Sequence, residues 1–233
     1  MSWAIGIPLA IIIALLLGSA HQIDFALADA MYQPDIGFIG KHSAFLEDWL
    51  HVRAKNVVIL FAILCIAFWL GSLFYQPWHA HRRQLGYLVM ALALSTAIIT
   101  PLKALTAVHC PWDLTRYGGE ETYTSLLSER APTLKPGRCW PAGHASSGFS
   151  LFALYFVFRD TRPRLARGLL IGALALGSVF SLGRMLQGAH FFSHNLWTAV
   201  FDWLICLGCY RILLYRPPAT AGDFIQPAPD TNT

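Results

Sequence analysis

The sequence predicts an all-α integral membrane protein, a single domain over residues 1–233 built as a bundle of six transmembrane helices with its active site at their outer ends. Three observations predict it. Hydrophobic residues make up 55% of the chain and charged ones only 13%, and mean hydropathy is +0.49, which is too apolar for an ordinary soluble domain. The apolar residues are gathered into runs of about the 20 residues that a bilayer-spanning helix needs. No linker, repeat or low-complexity tract separates a second domain. The membrane is the expected environment, no nucleic-acid partner is expected, and the sequence is silent on oligomeric state.

The elements follow in order. Residues 1–20 (MSWAIGIPLAIIIALLLGSA), 56–75 (NVVILFAILCIAFWLGSLFY) and 85–102 (LGYLVMALALSTAIITPL) contain no charge. The first run could be a cleaved secretory signal, but it has no basic leading segment and reads as a retained helix. The charge-free run 139–158, which opens CWPAGHASSG, predicts a fourth helix, and 168–183 (GLLIGALALGSVFSLG) a fifth. A sixth runs from about His190 to Tyr210 and carries one acid, Asp202.

Lys and Arg in short loops bias those loops toward the cytoplasm. With the N-terminus inside, the inner segments 76–84 and 159–167 and the tail from Arg211 hold eight basic residues against three acids. The outer segments are balanced. Both termini are therefore expected in the cytoplasm, and in a bacterium the loop 103–138 would face the periplasm from the inner membrane. Trp112, Trp140 and Trp197 are expected in an interfacial aromatic belt.

This orientation brings a set of ionisable residues to one face. Lys103 ends the third helix, His144 begins the fourth, Arg184 ends the fifth, and His190 and His194 begin the sixth. Ionisable groups at the edge of a span are costly unless paired or functional. Two permanent cations suit a tetrahedral oxyanion such as phosphate, the arginine by its planar fork and the lysine as a point charge. Histidines can divide the work, one as nucleophile while neutral and another as general acid while protonated. Phosphoryl transfer through a covalent histidine intermediate is the expected chemistry.

Three motifs carry a family resemblance: KALTAVHCP (Lys103 to Pro111), PAGH (Pro141 to His144) and GRMLQGAHFFSH (Gly183 to His194). Their order, spacing and helix-end placement resemble the type 2 phosphatidic acid phosphatase superfamily of six-helix membrane phosphatases, with motifs K-x6-R-P, P-S-G-H and S-R-x5-H-x3-D. The resemblance implies that His190 attacks phosphorus, that His144 protonates the leaving oxygen, and that Lys103, Arg184 and the Gly143 backbone hold the phosphate. It implies no metal or other cofactor. Its substrate would be a phosphorylated lipid: a polyprenyl diphosphate, phosphatidylglycerol phosphate, phosphatidic acid or lipid A.

The chain departs from the family at four positions. Cys110 stands for the first-motif arginine, for which Arg116 or Arg138 could substitute, and Ala142 and Gly183 replace serines. His194 stands for the aspartate that orients the nucleophile. Four residues apart on a helix, His190 and His194 share a face, so a neutral His194 is expected to accept the His190 N–H but to supply no charge. Lower activity, or another acid such as Asp113, is then expected; Asp202 lies too deep. Cys110 and Cys139 are expected to form a disulfide in the outer loop, while Cys65, Cys206 and Cys209 fall within helices. Other readings are a lipid phosphotransferase with the same intermediate, a zinc site made by His144, His190 and His194, and a non-catalytic lipid-binding or transport protein.

Overall fold

The computed structural model describes residues 3–18, 20–130 and 135–216, so the first two residues of the first predicted span, its Ser19 and the tail from 217 lie outside the described residues. It is mostly helical. Helix α1 (Trp3–Leu17) is followed, across an 83° bend, by α2 (Ala20–Ala30). A short antiparallel hairpin, β1 (Tyr32–Gln33) and β2 (Gly37–Phe38), pairs Tyr32 with Phe38. A π-helical stretch, Phe45–Ala54, continues into α3 (Lys55–Phe74), and α4 (Arg82–Thr106), α5 (Gly143–Phe149), α6 (Phe152–Phe158), α7 (Pro163–Leu186) and α8 (Phe192–Leu213) complete the order.

Among the described residues, four helical segments are long and apolar enough to cross a membrane: Phe45–Phe74, Gln76–Asp113, Pro163–Leu186 and Phe192–Leu213. The bent pair α1 and α2 would make a fifth. Six separate spans are not what the helix lengths show. The expected helix over 139–158 is divided, because the backbone tightens into three-residue turns at Ser150 and Leu151: Leu151 N–H donates to Gly148 (3.2 Å), Ala153 to Ser150 (3.1 Å) and Leu154 to Leu151 (2.9 Å). The Ser150 hydroxyl donates to the Ser147 carbonyl at 3.3 Å, the local competition that makes serine a poor helix-interior residue.

Helix α8 is the axis of the bundle. It is buried along its length from His194 to Tyr210 and packs against α1, α4, α5 and α6. Trp203 donates its indole N–H to the Ala4 carbonyl (2.7 Å) and stacks on Tyr155, which ties α1 into the core. Helix α3, by contrast, exposes apolar side chains such as Val57, Leu60, Ile63 and Phe74, as suits a helix bathed in lipid. Where lipid removes the hydrophobic drive between helices, close backbone approach does the packing. Helices α5 and α7 cross at Gly148 and Gly177, and a Cβ on Gly148 would lie 2.5 Å from the Gly177 Cα. That crossing packs the last turn of α5 against the middle of α7. The C-terminal ends of α4 and α7 and the N-terminal ends of α5 and α8 thus meet on one side of the bundle.

Candidate active site

Lys103 sits in the last turn of α4, half-buried, with Nζ 3.4 Å from where a Cβ on Gly143 would stand. The ammonium thus lies against the start of α5. His144, the second residue of α5, faces the same centre. Arg184, in the last turn of α7, donates from Nη1 to Gln187 Oε1 (2.7 Å) and lies 3.8 Å from Glu47 Oε2. Gln187 in turn donates to Glu47 at 3.0 Å, and the Trp112 ring covers the guanidinium with its centroid 5.6 Å away.

His190 lies in the tight turn between α7 and α8 and is 5% exposed. Gly188 makes that turn possible: its φ is +76°, and a Cβ there would collide with the Phe38 ring. Burial holds the His190 imidazole well below its ordinary pKa, and Lys103, His194, Arg184 and His144 push the same way. The ring is therefore neutral at neutral pH, and its Nδ1 has no hydrogen-bond partner among the described residues. A neutral imidazole enclosed by cations and a second histidine can attack an electrophile that the cations attract. The structure brings together Lys103, His144, Arg184, His190 and His194, with Gly143 against Lys103.

Three expectations need correction. His194 does not hydrogen-bond to His190: the ring centroids are 6.1 Å apart, and the His194 ring is hydrogen-bonded to the Cys139 backbone, because the disulfide places that carbonyl beside it. Asp113 does not stand in for the missing carboxylate, since its Oδ2 accepts the Cys110 N–H at 3.0 Å. Trp140 and Trp197 are not a surface belt but a buried cluster with Val108, their rings 5.6 Å apart; of the three, Trp112 alone is exposed. Asp202 is fully buried and accepts a hydrogen bond from Ser146 at 3.2 Å.

The Cys110–Cys139 disulfide is present, with Cα atoms 5.1 Å apart. Of the two candidate replacement arginines, Arg116 is engaged elsewhere, donating to both oxygens of Asp29 at 2.9 and 2.6 Å. Among the described residues, no cluster of three His, Cys, Asp or Glu side chains has the arrangement to hold a metal ion.

The family model described as the PAP2 superfamily matches residues 84–218, which takes in all three motifs and every histidine and cation of the cluster. The chain belongs to the PAP2 superfamily. This PAP2 protein is also 28% identical, over 185 residues, to the lipid A 4'-phosphatase of Francisella tularensis subsp. novicida (strain U112), an alignment covering 77% of the present chain and 80% of that relative. No solved structure matches it.

Sequence reasoning missed four residues that shape the site of this PAP2 protein. Glu47, Gln187 and Trp112 hold Arg184. Asp24 of α2, 4% exposed, accepts the Ser193 N–H (2.7 Å) and the Ser193 hydroxyl (2.5 Å), capping α8 from another helix. Of these, only Gln187 lies within a motif, at a position where the family pattern accepts any residue.

Proposed function

We propose that this protein is an integral membrane lipid phosphatase that removes phosphate from an amphiphilic lipid through a phospho-histidine intermediate. The observation that carries this reading is the buried, neutral His190 set among Lys103, Arg184 and His144. Lys103 and Arg184 attract the phosphate and offset charge on its equatorial oxygens. His190 attacks phosphorus, the P–O bond to the lipid breaks, and the leaving oxygen takes a proton from His144. Water then attacks the phospho-histidine, His144 recovers a proton from it, and inorganic phosphate departs. His194, held by Cys139, packs beside the nucleophile and cannot offset its charge as a carboxylate would.

The substrate reading rests on the curated relative. Of the lipids that a site at helix ends can reach, a phosphorylated lipid A is favoured because the relative carries that activity in its name. The charge pattern of the loops supports an inner-membrane protein with both termini cytoplasmic and the site facing the periplasm. The test is phosphate release from lipid A, phosphatidic acid, phosphatidylglycerol phosphate and polyprenyl diphosphate in mixed micelles, with and without chelator and orthovanadate. Chelator-insensitive, vanadate-sensitive release that His190→Ala abolishes is the expected result. Release that persists in His190→Ala, or that needs a divalent cation, overturns the mechanism.

A further inference from the structure

With Cys110 where the family motif has arginine, only Lys103 and Arg184 remain to meet a phosphate dianion. We propose that Arg138 supplies the third cation of the phosphate site and that the Cys110–Cys139 disulfide delivers it there. The assignment rests on the phosphatase reading above.

The geometry begins at the bridge. The two disulfide Cα atoms are 5.1 Å apart, and adjacent Cα atoms lie about 3.8 Å apart, so the Arg138 Cα stands no more than about 9 Å from the position the motif arginine would occupy. Residues 137–139 lie flush along the first motif: Cys139 N–H donates to the Val108 carbonyl at 2.9 Å, and a Cβ on Gly137 would run into that same carbonyl oxygen at 2.3 Å. On its other side Cys139 touches the nucleophile's own turn, with Sγ 3.0 Å from the Ala189 carbonyl oxygen. Arg138 is thus carried by a segment fixed against both the first motif and the residue before His190.

Charge points the same way. Arg138 and Arg184 both lie close enough to Lys103 for their charges to repel it. Three like charges drawn together are unfavourable until an anion comes between them, when the same proximity becomes attraction. The other outer-loop arginines are committed. Arg116 is held by Asp29, and Arg130 donates to the Ser125, Leu126 and Ser128 carbonyls. Arg138 donates to no described residue, and its side chain is exposed.

The experiment uses the purified full chain in detergent, with inorganic phosphate as the probe for binding and the lipid panel for turnover. Loss of one charged hydrogen-bonding partner should weaken phosphate binding about 10- to 100-fold. That loss is expected in Arg138→Ala, with partial recovery in Arg138→Lys and no change in Arg116→Ala. Cys110→Ser should reproduce the Arg138→Ala defect, and the double variant should be no worse than either single one, because both remove the same contact. Wild-type protein that binds no phosphate, or Arg138→Ala protein that binds it as the wild type does, overturns the assignment. Additive losses in the double variant overturn the role of the disulfide. Arg138-dependent phosphate binding without turnover of any lipid phosphate would defeat the phosphatase reading and leave this assignment standing.

Discussion

Asp24→Ala should damage a site that Asp24 does not enter. The carboxylate, 4% exposed, accepts two hydrogen bonds from Ser193, which lies between His190 and His194. A hydrogen bond to a charged group contributes about 1.5–3 kcal/mol, and loss of a helix cap costs about 0.5–2 kcal/mol. Relief of the buried charge offsets some of this, so a net loss of about 2–3 kcal/mol is expected. For a chain of this size that lowers Tm by roughly 4–12 °C. Asp24→Asn keeps one acceptor for the Ser193 N–H and should lose about half as much. A loosened start of α8 lets His190 drift, so kcat should fall about 10- to 100-fold while KM changes little. Thermal unfolding in detergent and single-substrate kinetics measure both, with Asp29→Ala, which removes the contacts to Arg116 and Tyr117 and none to α8, as the control. Wild-type Tm and kcat in Asp24→Ala would refute the reasoning.

His144→Ala should abolish turnover with no loss of folded protein, measured by phosphate release and by size-exclusion profile. For His190 the folded pKa lies well below the unfolded value near 6.5, so between the two the unfolded chain binds a proton that the folded chain does not. Its contribution to stability is therefore complete above pH about 6.5 and is lost as pH falls, at up to about 1.4 kcal/mol per unit; unfolding followed against pH should show a shallower acid limb in His190→Gln. Reducing the disulfide, which closes a separation of 29 residues, should cost about 3–4 kcal/mol on a chain-entropy model. Mass spectrometry of unreduced, alkylated protein should find both cysteines protected. Trp112→Ala should raise KM several-fold by freeing the Arg184 guanidinium, with kcat changed less.

The main apolar helices and the convergence of Lys103, His144, Arg184 and His190 were legible because both are written in short range: runs of apolar residues, and motifs at their ends. The break at Ser150 was not, because apolar content reports burial and says nothing of a serine hydroxyl competing for a backbone carbonyl. Spacing placed His190 and His194 on a shared face. It could not show that the disulfide sets the Cys139 carbonyl beside the His194 ring. Asp24 was invisible for the plainest reason: 169 residues separate it from Ser193, and an aspartate in a polar stretch looks like any other until the fold brings it to α8.

A narrow gap beside His144 and Arg184 is lined by Leu46 and Leu50 of the π-helical stretch and by Phe180 of α7. Those side chains are apolar, as suits the chain of a lipid substrate that stays in the bilayer while its phosphate enters. A substrate arriving by that route does so by two-dimensional diffusion, and the quantity that sets its encounter rate is mole fraction in the surface, not molarity in the tube. Adding empty detergent micelles at fixed total lipid should slow the enzyme as an inhibitor would, although nothing binds in competition. Kinetic constants for this protein should accordingly collapse onto one curve only when plotted against surface dilution.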